Sequence, residues 1–184
     1  MKVIVFFSGS GTNLKSIIEK QSDYGYQVIG AFCNNPDANG INICNEKNIE
    51  CYVLDNKLYS NRDEYDEKIN IYLESKDFDY VILAGYMRIL TNTLVNNWEG
   101  QIINIHPSLL PKYPGLDTHK RALENKDEVH GTTIHFVTEE LDAGPIIRQE
   151  MIKIEPNETV SSLTDKIKKI ENEIYPETIG SLNK

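Results

Sequence analysis

The sequence predicts an α/β fold: a doubly wound, mostly parallel sheet with an antiparallel addition towards the C-terminus. Three observations carry this. Short β-branched and aromatic runs recur with stretches of helical period between them, the pattern of parallel strands joined by helical crossovers. The runs are apolar throughout instead of alternating, as in strands buried on both faces. Beyond Gly131, two extended stretches follow one another with no helical pattern between them, which suits an antiparallel pair.

Lys2 to Phe7 is the first predicted strand, and a glycine-rich turn follows it. Leu14, Ile17 and Ile18 then recur at helical spacing, with Lys15, Glu19 and Lys20 on the outer side. Gln27 to Cys33 reads as the second strand, closed by the turn Asn34-Asn35-Pro36-Asp37. A short helix around Ile41 to Lys47 and a strand at Cys51 to Leu54 continue the alternation. Arg62 to Ser75 is predicted helical because Tyr65, Ile69 and Tyr72 share one stripe. Asp79 to Ala84 and Gln101 to His106 are further buried strands, the second stopped by Pro107. Thr132 to Thr138 and Ile146 to Ile154 are the two extended pieces, and Thr159 to Tyr175 is a closing amphipathic helix. With no repeat and no linker composition, one domain over residues 1–184 is expected.

A net charge of −9 argues against a nucleic-acid partner, since phosphate backbones are held by clustered Lys and Arg. It leaves room for a small anionic ligand, because one loop of backbone N–H groups can bind phosphate inside an acidic protein. Cys33, Cys44 and Cys51 show neither C-x-x-C spacing nor a matched acidic or histidine partner, so they read as reduced thiols, with metal binding as the alternative. The run Val3 to Phe7 is too short for a secretory core, and no later stretch is long and apolar enough for a membrane span. The cytoplasm is the expected compartment.

Ser8-Gly9-Ser10-Gly11-Thr12-Asn13 lies between the first strand and the first helix. Glycines there let the backbone approach a ligand closely, and the unpaired N–H groups of the helix start favour an anion, most often phosphate. No Lys-Ser or Lys-Thr follows the last glycine, so this is not a Walker A loop. The third glycine of a dinucleotide fingerprint is also missing. The bland alternative is a tight turn with Thr12 or Asn13 as a helix cap.

The sharpest chemical signal is Asn104-Ile105-His106-Pro107. Residues two apart on a strand point to one face, so Asn104 and His106 project together while Ile103 and Ile105 point the other way. Unpaired burial of a polar group costs about 1–3 kcal/mol, so two of them on an apolar strand need a purpose. An imidazole moves protons near neutral pH and an amide N–H stabilises an oxyanion, a combination suited to acyl-type transfer. The segment from Pro107 to Gly115 carries three prolines and is expected to be a stiff loop, either a wall beside a site or a structural crossover. Asp142, ahead of Ala143-Gly144-Pro145, is either a turn aspartate or a carboxylate that orients His106 and favours its charged form. His135 is given a structural role.

These segments together resemble the folate-dependent phosphoribosylglycinamide formyltransferase family. The resemblance rests on the Ser-Gly-Ser-Gly-Thr-Asn loop, Leu83-Ala84-Gly85-Tyr86-Met87-Arg88-Ile89-Leu90, and the run from Asn104 to Gly115. His130-Gly131-Thr132-Thr133-Ile134-His135-Phe136-Val137 and Leu141-Asp142-Ala143-Gly144-Pro145 extend it over nearly the whole chain, in order. It implies a Rossmann-like formyltransferase fold and small-molecule substrates, with 10-formyltetrahydrofolate as co-substrate and no metal, in a monomer or weak homodimer. Gly11, Thr12, Asn13 and Glu171 would then hold the ribonucleotide, although Glu171 also reads as an ordinary helix-surface charge. Arg62, Met87, Arg88, Ile89, Leu90, Asn104, and Thr138, Glu139, Glu140, Leu141 and Asp142 would contact the folate. Asn104, His106 and Asp142 would be catalytic. Direct attack of the substrate amine on the formyl carbon, through a tetrahedral intermediate, is the implied mechanism.

Two departures from the resemblance stand out. Asp117 occupies a place where the family often has histidine, and the chain ends at Lys184, earlier than many members. Competing expectations are a formyltetrahydrofolate hydrolase, which usually carries an extra N-terminal domain, and a catalytically silent folate- or nucleotide-binding module. A transfer-RNA formyltransferase would need an appended basic domain, which this acidic sequence does not offer.

Overall fold

The computed structural model describes residues 1–182. Its strands are β1 (Lys2–Phe7), β2 (Gln27–Cys33), β3 (Cys51–Val53), β4 (Tyr80–Leu83), β5 (Ile102–His106), β6 (Val129–Phe136) and β7 (Ile146–Lys153). They form one seven-stranded sheet in the order β3-β2-β1-β4-β5-β6-β7. β1 to β5 pair in parallel, whereas β6 runs antiparallel to both β5 and β7. The predicted doubly wound sheet with its antiparallel addition is therefore the fold observed.

The helices are α1 (Thr12–Tyr24), α2 (Gly40–Glu46), α3 (Arg62–Glu74), α4 (Asn92–Asn97), α5 (Thr118–Glu124) and α6 (Val160–Ser181). Leu14, Ile17 and Ile18 of α1 and Ile174, Tyr175 and Ile179 of α6 pack on one sheet face. Tyr65, Ile69, Tyr72 and Leu73 of α3 and Leu94 and Val95 of α4 cover the other. Helices on both faces explain why the inner strands read as unbroken apolar runs. α4 and α5 escape sequence prediction because they are short and bury only two residues each along their length.

The closing helix is longer than the expected Thr159–Tyr175. Thr159 caps it through a capping box with Ser162, and the helix continues through Pro176 to Ser181. A proline has no N–H for the carbonyl four residues back, here that of Asn172. Ser16 Oγ and Lys20 Nζ, the latter at 3.0 Å, donate to that carbonyl instead. α1 thus repairs the break, which is a tertiary effect that local sequence does not reveal.

The strand order reverses at β1, with β2 on one side and β4 on the other. Ligands of open α/β sheets bind in the crevice beyond the strand ends at such a point. The glycine loop after β1, the Gly85 turn after β4 and the end of β5 all open there. Cys33, Cys44 and Cys51, scattered in sequence, come to one side of the sheet as free thiols. Among the described residues, no group of three or more His, Cys, Asp or Glu is placed to hold a metal ion. No described helix is long and apolar enough to cross a membrane.

Candidate active site

A cavity of about 660 Å³ lies over the C-terminal ends of β1, β4 and β5. It is lined by Gly9 to Asn13, Leu83 to Leu90, Asn104 to Pro107, Gly115 to Lys120, His135, and Val137 to Asp142, with Val160, Lys168 and Glu171 from α6. Of the residues singled out from sequence, only Arg62 stands outside this lining. Its guanidinium reaches in from α3 to the Ile89 carbonyl at 2.7 Å, bracing the Met87–Leu90 segment.

Alternation along β5 separates the two kinds of side chain. Ile103 and Ile105 enter the core beneath the sheet, while Asn104 and His106 reach the cavity. His106 Nε2 is 2.9 Å from the Tyr113 carbonyl, and Nδ1 lies 3.4 Å from Asp142 Oδ2. The Asp142 carboxylate also accepts the Gly115 N–H at 2.8 Å, which ties the proline-rich loop to the 138–142 segment. Asp142 itself has φ 54, a left-handed conformation that Asp and Asn tolerate better than most residues. Asp142 thus occupies a turn position and also stands beside His106.

His135 is drawn into the same group. Antiparallel pairing sets Asn104 directly opposite His135. Its Nδ1 donates to the Phe136 carbonyl at 2.8 Å, so Nε2 is the acceptor for the Asn104 amide nitrogen at 3.2 Å. Burial pushes the His135 pKa down, with the Phe136 hydrogen bond and Asp142 opposing, so the ring is neutral and fixes the orientation of the Asn104 amide. Sequence assigned His135 only a structural role because the β5–β6 register was unknown. The i, i+2 spacing of Thr133 and His135 was the available signal that both face one side.

Glu171, which also lines the cavity, is buried and not a helix-surface charge. It accepts from Asn13 at 3.2 Å and from Thr132 Oγ1 at 3.1 Å, and burial raises its pKa against those two hydrogen bonds and Lys168. Thr132 Oγ1 also lies 3.0 Å from the His106 carbonyl, so one hydroxyl links Glu171 to the end of β5. Gly11 sits at φ 76, and a Cβ there would lie 2.8 Å from Gly40 Cα. Gly11→Ala is expected to cost about 1–3 kcal/mol for the left-handed backbone alone. A thermal midpoint equal to that of the parent would contradict this.

The loop after Pro107, expected to be stiff from its prolines, is held by hydrogen bonds from β6 and α5. Thr133 Oγ1 donates to the Ser108 carbonyl at 2.6 Å and accepts the Leu110 N–H at 3.1 Å. Arg121 holds the Pro114 carbonyl at 2.7 Å and stacks over Tyr113. His119, missed from sequence, lines the cavity and lies 3.0 Å from His130. Burial, reinforced by His130, Lys168 and His106, lowers its pKa from 6.5 to about 4, and burial also lowers that of His130. Since the folded pKa lies below the unfolded one, this pair contributes stability that is fully present above pH 6.5 and is lost as pH falls towards 4. The thermal midpoint is therefore expected to drop between pH 7.5 and pH 5. The drop should be smaller in His119→Gln, and an equal drop in both proteins would contradict the assignment. Asp117, at the start of α5 with φ 58, also lines the cavity.

A glycine loop at a helix start, an amide beside an imidazole and a nearby carboxylate, gathered over one crevice of a doubly wound sheet, form an arrangement suited to a group-transfer enzyme. The chain belongs to the formyl transferase family, whose model matches residues 1–179. It is 40% identical over 182 residues to the phosphoribosylglycinamide formyltransferase of Escherichia coli K12, covering 98% of this chain and 86% of the relative. Against the enzyme of the same name from Haemophilus influenzae it is 41% identical over 177 residues, covering 95% and 84% respectively. The crystal structure of phosphoribosylglycinamide formyltransferase from Bacillus halodurans superposes with a TM-score of 0.94 at 40% identity, covering 99% of this chain and 95% of that one.

Proposed function

We propose that this chain, as one formyltransferase domain, moves the formyl group of 10-formyltetrahydrofolate to the amine of N1-(5-phospho-D-ribosyl)glycinamide. The reaction is a step of de novo purine biosynthesis, and the cytoplasm is its place. The observation that carries this reading is the meeting of Asn104, His106 and Asp142 in one cavity that the glycine loop also lines. The relatives' shared name supports the choice of acceptor.

The amine nitrogen attacks the formyl carbon, forming a C–N bond and a tetrahedral intermediate with charge on the former carbonyl oxygen. The Asn104 N–H and the His106 ring donate to that oxygen. His106 gives a proton to the folate nitrogen as the original C–N bond breaks and regains one from the amine nitrogen that attacked. Asp142 holds the ring in place and compensates its positive charge. Gly11, Thr12 and Asn13 take the phosphate through backbone N–H groups, and Glu171 faces the nucleotide from α6. Backbone groups of Met87, Arg88, Ile89 and Leu90 read the folate ring. Thr138, Glu139, Glu140 and Leu141 line its other side, with Arg62 braced behind.

Purified protein given both substrates should yield ribonucleotide heavier by one formyl unit, with tetrahydrofolate released. Formate release without an amine acceptor would point to the hydrolase instead. Binding of both ligands with no product would leave a silent binding module.

A further inference from the structure

Ser8 sits at the junction of two loops that the proposed reaction assigns to different substrates. Its hydroxyl donates to Asn34 Oδ1 at 2.6 Å. A hydroxyl has one hydrogen, so that bond turns its lone pairs towards Met87, whose N–H it accepts at 2.8 Å. The Ser8 backbone adds two more ties: its N–H donates to the Gly85 carbonyl at 3.2 Å, and its carbonyl accepts from Asn35 Nδ2 at 3.3 Å. The next residue is bound from the other direction, since Gly40 N–H donates to the Gly9 carbonyl at 3.1 Å. Asn34 is itself buried and held, with its Nδ2 at 3.3 Å from Asn56 Oδ1 and its carbonyl accepting the Asn56 N–H at 3.2 Å.

The Met87–Leu90 segment is anchored at Leu90, which is buried, and at Arg88, whose guanidinium lies 4.4 Å from the centre of the Tyr65 ring. Gly85 is in the left-handed conformation at φ 73, and the Met87 and Ile89 side chains are 70% and 58% exposed. Three bonds hold the segment from the protein side: Met87 N–H to Ser8, Ile89 carbonyl to Arg62, and Thr91 N–H to Asp66 at 2.6 Å. Of these, only the Ser8 bond connects it to the glycine loop. We infer that Ser8 is a positioning residue that couples the two substrate subsites, so that a ligand on the glycine loop strengthens binding on the Met87 segment and the reverse.

The physical basis is shared ordering. A phosphate bound to the N–H groups of the glycine loop restrains that loop, and through the Ser8 hydroxyl it restrains Met87. A second ligand then orders less backbone on its own. Linkage makes the effect equal in both directions.

This inference rests on the proposed function for the identity of the two ligands. Its test uses a pair that cannot react, tetrahydrofolate and glycinamide ribonucleotide. The dissociation constant of tetrahydrofolate is measured by calorimetry without the ribonucleotide and again at saturation with it. In the parent protein, saturation should tighten tetrahydrofolate by about 2- to 12-fold, the factor one neutral hydrogen bond supplies. Ser8→Ala should bring that ratio to about one, and Ser8→Thr, which keeps the hydroxyl, should restore it. Asn34→Ala, which frees the hydroxyl to rotate, should lower the ratio and serves as the second variant if Ser8→Ala does not fold. The inference is overturned by a ratio of one in the parent, or by Ser8→Ala or Asn34→Ala retaining the full ratio. A parent protein that binds neither ligand overturns the proposed function, and the inference with it. Normal formyl transfer by a parent whose ratio is one sinks the inference alone.

Discussion

Replacing Asn104 or His106 with alanine is expected to leave the fold intact and remove most of the turnover. The Asn104 amide is placed by two independent contacts, its strand register opposite His135 and the 3.2 Å hydrogen bond to that ring. Loss of one preorganised donor to a developing oxyanion lowers kcat by about 100- to 1000-fold. His106 combines such a donor with the proton carrier, so its loss should cost at least as much, within the range of about 100- to 10,000-fold for general acid–base groups. Neither side chain anchors the core, which is built by Ile102, Ile103 and Ile105 of the same strand. The matching controls are thermal midpoints near the parent's and unchanged binding of glycinamide ribonucleotide. Parent-level turnover in either purified variant would remove that residue from the mechanism.

Asp142→Asn is expected to produce a loss of similar size by a different route. The substitution keeps the shape of the side chain, and asparagine tolerates the left-handed backbone found at φ 54. An amide oxygen can still accept the Gly115 N–H that the carboxylate takes at 2.8 Å. What disappears is the negative charge 3.4 Å from His106 Nδ1, with both side chains only 7% exposed. Without it the positive ring that forms during proton transfer has no compensating charge in a poorly solvated site. A fall in kcat of about 100- to 10,000-fold is expected, with little change in the substrate KM values. Turnover within about threefold of the parent would show that Asp142 merely holds the turn.

Much of this site is visible in one dimension because strand chemistry is local. Asn104 and His106 share a face by the period of the strand alone, and the helix start after Gly11 presents its N–H groups whatever lies around it. His135, His119 and Ser8 are different. Each acquires its place through a partner far away in sequence: His135 through Asn104, His119 through His130, and Ser8 through Met87. Glu171 shows the same limit, because a helix-surface glutamate and a buried one have the same local spacing. Only the approach of Asn13 and Thr132 distinguishes them.

Hydropathy periods, proline and glycine positions and the Asn-x-His strand end were enough to determine the sheet with its antiparallel addition and the shared face of Asn104 and His106 at the end of β5. Tertiary packing decided the rest: the distance from Asp142 to His106, the continuation of α6 past Pro176, the burial of Glu171 and the bond between the two loops. The division has a physical cause. Backbone conformation and side-chain period depend on neighbours within a few residues, whereas hydrogen-bond partners and desolvation depend on which distant segments the folded sheet brings within about 3 Å.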